Sequence, residues 1–237
     1  MFISRRSLLA GAAVSAIPLL TWIDELRAQI GPRLRPSCYS SSGTTHLATL
    51  RAGVAAMKAL PSTDARSWLN IANIHKNSCQ HRQWWFPHWH RLYLLNFEAI
   101  IAKLTGKPDF ALPYWAYKDN RVMPSTFRLP ASSSNPLWTS RRAATINAGQ
   151  ALPSSAVSDA TAIATLPFVS SSLKAGFGGP AVTAKTIRGP DQGALERQPH
   201  GPVHTAIGGS TGLMSQVTVS AQDPIFWMHH CKHRPAD

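Results

Sequence analysis

Between residues 44 and 60 (TTHLATLRAGVAAMKAL) the side chains Leu47, Leu50, Val54, Met57 and Leu60 recur at three- and four-residue intervals. That period lines one face of an α-helix, with Thr44 or Thr45 as the opening cap and Pro61 as the stop. Residues 64–76 carry a second apolar pattern through Trp68, Leu69, Ala72 and Ile74 and end in His75. A third runs over residues 90–104 (HRLYLLNFEAIIAKL), opened by His90 and closed by Gly106 and Pro108. From Pro124 to about Pro190 the chain fills with Ser, Pro, Gly, Ala and Thr, which predicts long loops with little regular structure. Loops of that length in a compact domain are usually functional or mobile. Two short segments after them, 196–207 and 223–231, read as helix starts. Asp223-Pro224 is a natural opening for the second, an acidic cap followed by Pro at the first helical position.

The 237 residues suffice for one well-buried core, and 44% apolar with 15% charged residues argues for a globule. Lys and Arg outnumber Asp and Glu by 24 to 11, and the isoelectric point lies near 10.4. Such a charge attracts polyanions. The basic residues are scattered, however, Arg5/Arg6 and Arg141/Arg142 being the longest runs, and no nucleic-acid motif accompanies them, so no nucleic-acid partner is expected.

Ser4-Arg5-Arg6 followed by the apolar run Leu8 to Leu20 fits a twin-arginine export signal over residues 1–28 rather than a membrane span. An uncleaved anchor is the alternative. Residues 29–237 then form the working domain, delivered to a periplasmic or extracellular location with no stable membrane span after cleavage. This route suits a protein that folds, and takes up any metal, before export, so a metal-delivery partner is a candidate. Three cysteines, Cys38, Cys79 and Cys231, cannot all pair internally, which excludes a disulfide scaffold.

The histidines carry the chemistry. His75, His81 and His90 fall within one sixteen-residue stretch, and three neutral imidazoles brought together by helix ends and a loop can form one metal site. His200 and His204 stand four apart, on one face of a helix. That spacing is weak alone, but DPIFWMHH downstream delivers His229 and His230 one turn into a helix. Two clusters either side of the loops suggest a twofold arrangement.

HKNSCQHRQWWFPHWHRLYLLNFEAII, ALERQPHGPVHTAIGG and DPIFWMHH resemble the copper A and copper B motifs of tyrosinases, catechol oxidases and molluscan haemocyanins. The resemblance covers roughly residues 45–231. It implies a mainly α fold, a four-helix bundle holding a dicopper centre, with His75, His81 and His90 on copper A and His200, His204 and His230 on copper B. His229 takes a supporting role, and Trp84, Trp85, Phe86, Trp89 and Phe226 form an apolar wall that keeps the site dry. The implied activity is oxidation of o-diphenols, or of monophenols, to o-quinones by O2. Glu196 matches the position that orders a water and helps deprotonate the phenol. Gly201, where monophenol hydroxylases often carry Asn, tilts the expectation toward diphenols. Cys79, two before His81, matches the spacing of a thioether to the histidine ring, and a free buried thiol is the alternative.

The same six histidines also permit an oxygen- or copper-binding protein without turnover. A zinc hydrolase is disfavoured because the His200/His204 pair encloses no Glu to act as base. Two departures from the family stand near the site: His88 is an extra imidazole, and Ala116 replaces the usual Asp after Tyr114-Trp115. After His229-His230-Cys231 the family continues with a segment like Asn-Ile-Asp-Arg-Leu. Here Lys232-His233-Arg234-Pro235-Ala236-Asp237 follows, which reads as the product of a one-nucleotide frameshift and makes an inactive truncated product one of the readings.

Overall fold

In a computed structural model the protein is described over residues 34–170, 176–182 and 189–231. The twin-arginine segment and the frameshift-like ending lie outside them. The chain divides into Met1–Leu34 and Arg35–Asp237, and the description below concerns the second unit.

The fold is mainly helical. Helix α1 (Ser41–Ala59) begins three residues before the expected Thr44, because Ser40 is the cap: its hydroxyl accepts the Gly43 N–H at 3.0 Å. Leu60 is extended rather than helical (φ −67°, ψ 142°), as the residue before a proline prefers. Leu47, Leu50, Val54 and Met57 are all buried on one face, and Gly53 lets that face press close: a Cβ there would lie 2.5 Å from Cδ1 of Ile101.

Helix α2 (Trp68–Ser78) starts four residues later than the pattern suggested. Residues 64–67 form a turn instead, in which the Asp64 carboxylate accepts the Arg66 N–H at 2.8 Å, a local bond that competes with helix. Its buried face is Trp68, Ile71, Ala72 and His75. Leu69 and Ile74, expected in the core, are exposed. Helix α3 (Trp85–Thr105) starts five residues earlier than expected. His90 therefore sits in its second turn instead of opening it. Pro87 disguised the start, although proline is tolerated in a first helical turn. Gly106 ends the helix in the left-handed region (φ 65°), its N–H returning to the Ala102 carbonyl.

The described residues between 124 and 190 are largely irregular, as their composition predicts, with single helical turns at Ala144–Asn147, Ser154–Val157 and Ala160–Ala164 and a two-residue parallel pairing of Val169–Ser170 with Gly179–Pro180. They are nonetheless anchored, since Phe127, Leu137, Ile146, Leu152 and Val157 join the core. Next comes a wide turn, Glu196–His200, in which Gln198 leaves helical geometry. It runs into helix α4 (Gly201–Gly208). Helix α5 (Ile225–Cys231) is buried at every position. Asp223 opens it as expected, its carboxylate accepting the Ile225 N–H at 3.1 Å.

An aromatic stack fastens α2, α3 and α5 together. Trp227 lies flat on Phe97 (3.8 Å between centroids, 11°) and meets Tyr93 and Trp68 at 4.7 and 6.2 Å. The Tyr93 hydroxyl donates to the Ile71 carbonyl at 2.6 Å. A buried ion pair ties the entering chain to α3: Arg35 donates to both Glu98 oxygens at 2.8 Å, and one of them also accepts the Leu112 N–H. No helix among the described residues is long and apolar enough to cross a membrane.

Removing Glu98 would leave the Arg35 guanidinium buried without its counter-charge. Glu98→Ala is expected to destabilise the fold by about 3–5 kcal/mol, measured by denaturant unfolding, and a loss below about 1 kcal/mol would show that this pair contributes little.

Candidate metal centre

Four helices and one turn bring seven imidazoles together. His75 comes from the last full turn of α2, His81 from the turn that follows, and His90 from α3. His200 stands at the mouth of α4 and His204 one turn inside it, while His229 and His230 lie near the end of α5. In the first group the ring centroids of His75, His81 and His90 are 5.1–5.4 Å apart. In the second, His200 and His204 lie 4.6 Å from each other and 4.9 and 5.3 Å from His230. The groups meet where His90 and His230 stack at 4.7 Å and 17°.

Main-chain carbonyls settle the tautomers of three rings. His90 Nδ1 meets the Phe86 carbonyl at 2.8 Å, His230 Nδ1 the Phe226 carbonyl at 2.8 Å, and His204 Nδ1 the Met214 carbonyl at 2.7 Å. A carbonyl can only accept, so each Nδ1 holds the proton and each Nε2 keeps its lone pair. His90 Nε2 lies 3.3 Å from His75 Nε2. Two imidazole nitrogens about 2.0–2.1 Å from a shared tetrahedral ion stand roughly 3.3 Å apart, so the first group fits a metal.

In the second group the ring nitrogens of His200, His204 and His229 lie within 4.8 Å of one another. His229, given a supporting role on sequence grounds, is therefore as close to this pair as a ligand would be. His230 differs from it in that its Nδ1 is anchored to the carbonyl four residues back, as that of His90 is, and its ring meets both groups.

The same spacing recurs on both sides. Phe86-x-x-x-His90 and Phe226-x-x-x-His230 each give a carbonyl to their own histidine and a ring to the opposite group. Phe86 packs on His200 at 4.7 Å, and Phe226 packs on His75 at 4.8 Å. This repeat is visible in the sequence and escapes attention when only the histidines are aligned. Trp89 meets His75 edge-on at 5.9 Å. The rest of the expected wall is corrected: Trp84 and Trp85 meet each other at 4.3 Å with their rings tilted by 32°, and Trp85 is 45% exposed. His88 is exposed beside them, in neither group.

Glu196 is buried rather than a surface carboxylate, and its Oε2 accepts the Arg82 N–H at 2.6 Å. Arg82 directly follows His81 and is held in the left-handed region (φ 60°), a conformation that costs a non-glycine residue of order 1–3 kcal/mol. A carboxylate from the second half thus secures the turn that presents His81. The Cys79 sulfur lies within 4.8 Å of the His75 and His81 ring nitrogens. Burial pushes that thiol up to about 12. Cys38, Cys79 and Cys231 are all buried and in no disulfide. Beside the centre, a cavity of about 120 Å³ is lined by Phe86, His90, Leu94, Phe168, Phe177 and His230, with Arg35, His88 and Arg91 among its other walls.

Imidazoles in two facing groups, five of the seven buried, are the donor set of a dinuclear metal protein. The family model described as the common central domain of tyrosinase matches residues 54–177 and 131–233, and the chain belongs to that family. Tyrosinase HcTyr1 of Hahella sp. (strain CCB-MM4) is 37% identical over 175 residues, 65% of this chain and 35% of that protein. The chloroplastic polyphenol oxidase of Vitis vinifera is 32% identical over 241 residues, 84% of this chain and 37% of that protein. The crystal structure of Grenache (Vitis vinifera) polyphenol oxidase superposes with a TM-score of 0.70 at 28% identity, covering 84% of this chain and 68% of that one. The chain thus spans little more than a third of the length of these two curated relatives. The cofactor of the family is a pair of copper ions, and neutral imidazoles are suitable donors for copper.

Burial, and then the neighbouring His81 and His204, hold the His75 ring well below the usual histidine range, and burial lowers His204 to about 4. The unfolded chain, with histidine near 6.5, therefore binds more protons between about pH 4 and 6.5. Stability of the metal-free protein should be complete above that window and fall as the pH drops through it. Urea midpoints at pH 7.5 and 4.5 test the direction. His204→Gln should make the fall shallower, and an unchanged slope would remove this group from the account.

Proposed function

We propose that this protein is a copper-dependent oxidase that converts o-diphenols to o-quinones with O2. The observation that carries the reading is the stacking of His90 on His230, which sets two three-imidazole groups face to face in an apolar shell. In this reading His75, His81 and His90 hold copper A, and His200, His204 and His230 hold copper B. The coppers, when bound, supply the two-electron exchange between phenol and dioxygen.

The chain's own groups bind, orient and exclude. Phe86 and Phe226 cover the rings, and the carbonyls behind His90, His204 and His230 fix which nitrogen is offered to metal. The cavity touches one histidine of each group and is comparable with the ~150 Å³ voids that take up one benzene ring, which supports a phenol-sized substrate. Glu196, held at the His81 turn, orders water and receives the phenolic proton. Gly201 supports diphenols over monophenols. Cys79, its sulfur close to the His81 ring, is assigned a thioether to that histidine. Export by the twin-arginine route to the periplasm or beyond rests on Arg5-Arg6 and the apolar run behind them.

Reconstitution with copper should load two ions per chain, and catechol with air should then yield quinone absorbance. Reversible oxygen uptake without product would instead support a carrier. His230→Ala should lower the stoichiometry toward one, whereas His229→Ala should keep two; the reverse pattern would exchange their roles.

Glu196→Gln keeps an oxygen for the Arg82 N–H and removes the proton acceptor. It should retain both coppers and lower kcat by about 10²–10⁴-fold. An unchanged rate would confine Glu196 to holding the turn.

A further inference from the structure

Arg142 comes from the middle of the irregular segment and touches none of the seven imidazoles, yet its side chain is completely buried against that of Asp223. Its Nε donates to both carboxylate oxygens at 3.0 and 2.9 Å, and one terminal nitrogen adds a third bond at 2.6 Å. The remaining donors go to the carbonyls of Phe127 and Leu137 at 2.7 and 2.8 Å. The planar guanidinium is thus almost fully used, an arrangement lysine cannot reproduce. Asp223 in turn accepts the first free N–H of α5, from Ile225, and the next residue, Phe226, gives the carbonyl that holds His230 Nδ1.

The neighbours of Arg142 grip the other element of the second group through their main chain. The Ala143 N–H donates to the Ile207 carbonyl in α4 at 2.9 Å, and the Arg141 carbonyl accepts the Leu213 N–H at 3.0 Å. Leu213 precedes Met214, whose carbonyl holds His204 Nδ1. Gly212 makes the approach possible, since a Cβ there would lie 2.7 Å from the Arg141 oxygen. Three consecutive residues therefore bond to both short elements of the second histidine group.

We propose that Arg142 is a positioning residue for the second metal ion: with the main chain of residues 141 and 143 it sets α4 and α5 in register, so that His204 and His230 offer their Nε2 atoms to one ion. The proposal rests on the dicopper reading. Outer groups that orient ligands typically account for 10–100-fold in metal affinity, and the effect should be confined to the second group, because His75, His81 and His90 stand on elements that Arg142 does not contact.

The test is titration of the metal-free chain with Cu(I) by equilibrium dialysis, in wild type, Arg142→Met and Arg142→Lys. The expected result is that the first equivalent binds as in wild type while the second weakens 10–100-fold. Arg142→Lys keeps the buried charge and serves if Arg142→Met does not fold. Equal weakening of both equivalents, or no change in either, would overturn the proposal. Failure of the dicopper reading looks different, as wild type would then not take two equivalents. Hydrogen exchange of the metal-free protein reads the same claim without copper. In Arg142→Lys the amides of α4 and α5 should exchange faster while those of α1–α3 stay protected, and uniform protection would refute it.

Discussion

Five of the seven imidazoles, His75, His90, His200, His229 and His230, are buried in one aromatic shell, and burial there works against a charged ring. An imidazolium among Phe86, Phe226 and Trp89 would lose its hydration, and this desolvation is the main reason that the His75 and His204 rings are held below their ordinary range, outweighing for His204 the opposing pull of Asp223. Neutral rings then face one another with lone pairs whose placement is dictated by carbonyls behind them. A cation is the natural neighbour for such an array. The apolar wall, the fixed tautomers and the fit to metal are thus consequences of one constraint rather than separate features.

The twofold character of the centre follows from economy of local structure. A phenylalanine four residues ahead of a histidine does two things at once on a helix: its carbonyl reaches the ring on the next turn, and its own ring extends over the other half. Phe86 with His90 and Phe226 with His230 repeat this on α3 and α5. Each half therefore supplies part of the lid of the other, which couples the two groups through packing without any residue shared between them.

Much of this is legible in the sequence, and what is not has identifiable causes. Helical period gave α1 and the body of α3, and histidine spacing with DPIFWMHH gave all seven imidazoles. The start of α3 was hidden by Pro87, which breaks the apolar period while being sterically welcome in a first turn. Leu69 and Ile74 look like core residues by type but fall off the face set by Trp68, Ile71 and His75. Trp84 and Trp85 read as wall because they sit beside ligands in sequence, whereas they pair with each other where α3 begins and leave Trp85 exposed. Arg142 and Glu98 could not be found by pattern. A buried charge is recognised by its partner, and these partners lie 81 and 63 residues away.

The two groups are not built alike. His75 and His90 stand on helices of 11 and 21 residues that share the aromatic core, whereas the second group depends on helices of 8 and 7 residues. Helices that short do not hold their geometry alone, so their register must be imposed from outside. The segment that imposes it has almost no regular structure of its own, and this is physically apt: irregular chain can present a carbonyl, a guanidinium and an amide from three successive residues in three directions. A helix or strand spends most of its main-chain groups on its own ladder and has few to lend. The loops between the histidine clusters are therefore part of the centre, and their lack of period marks where the chain's hydrogen bonds are spent on its neighbours.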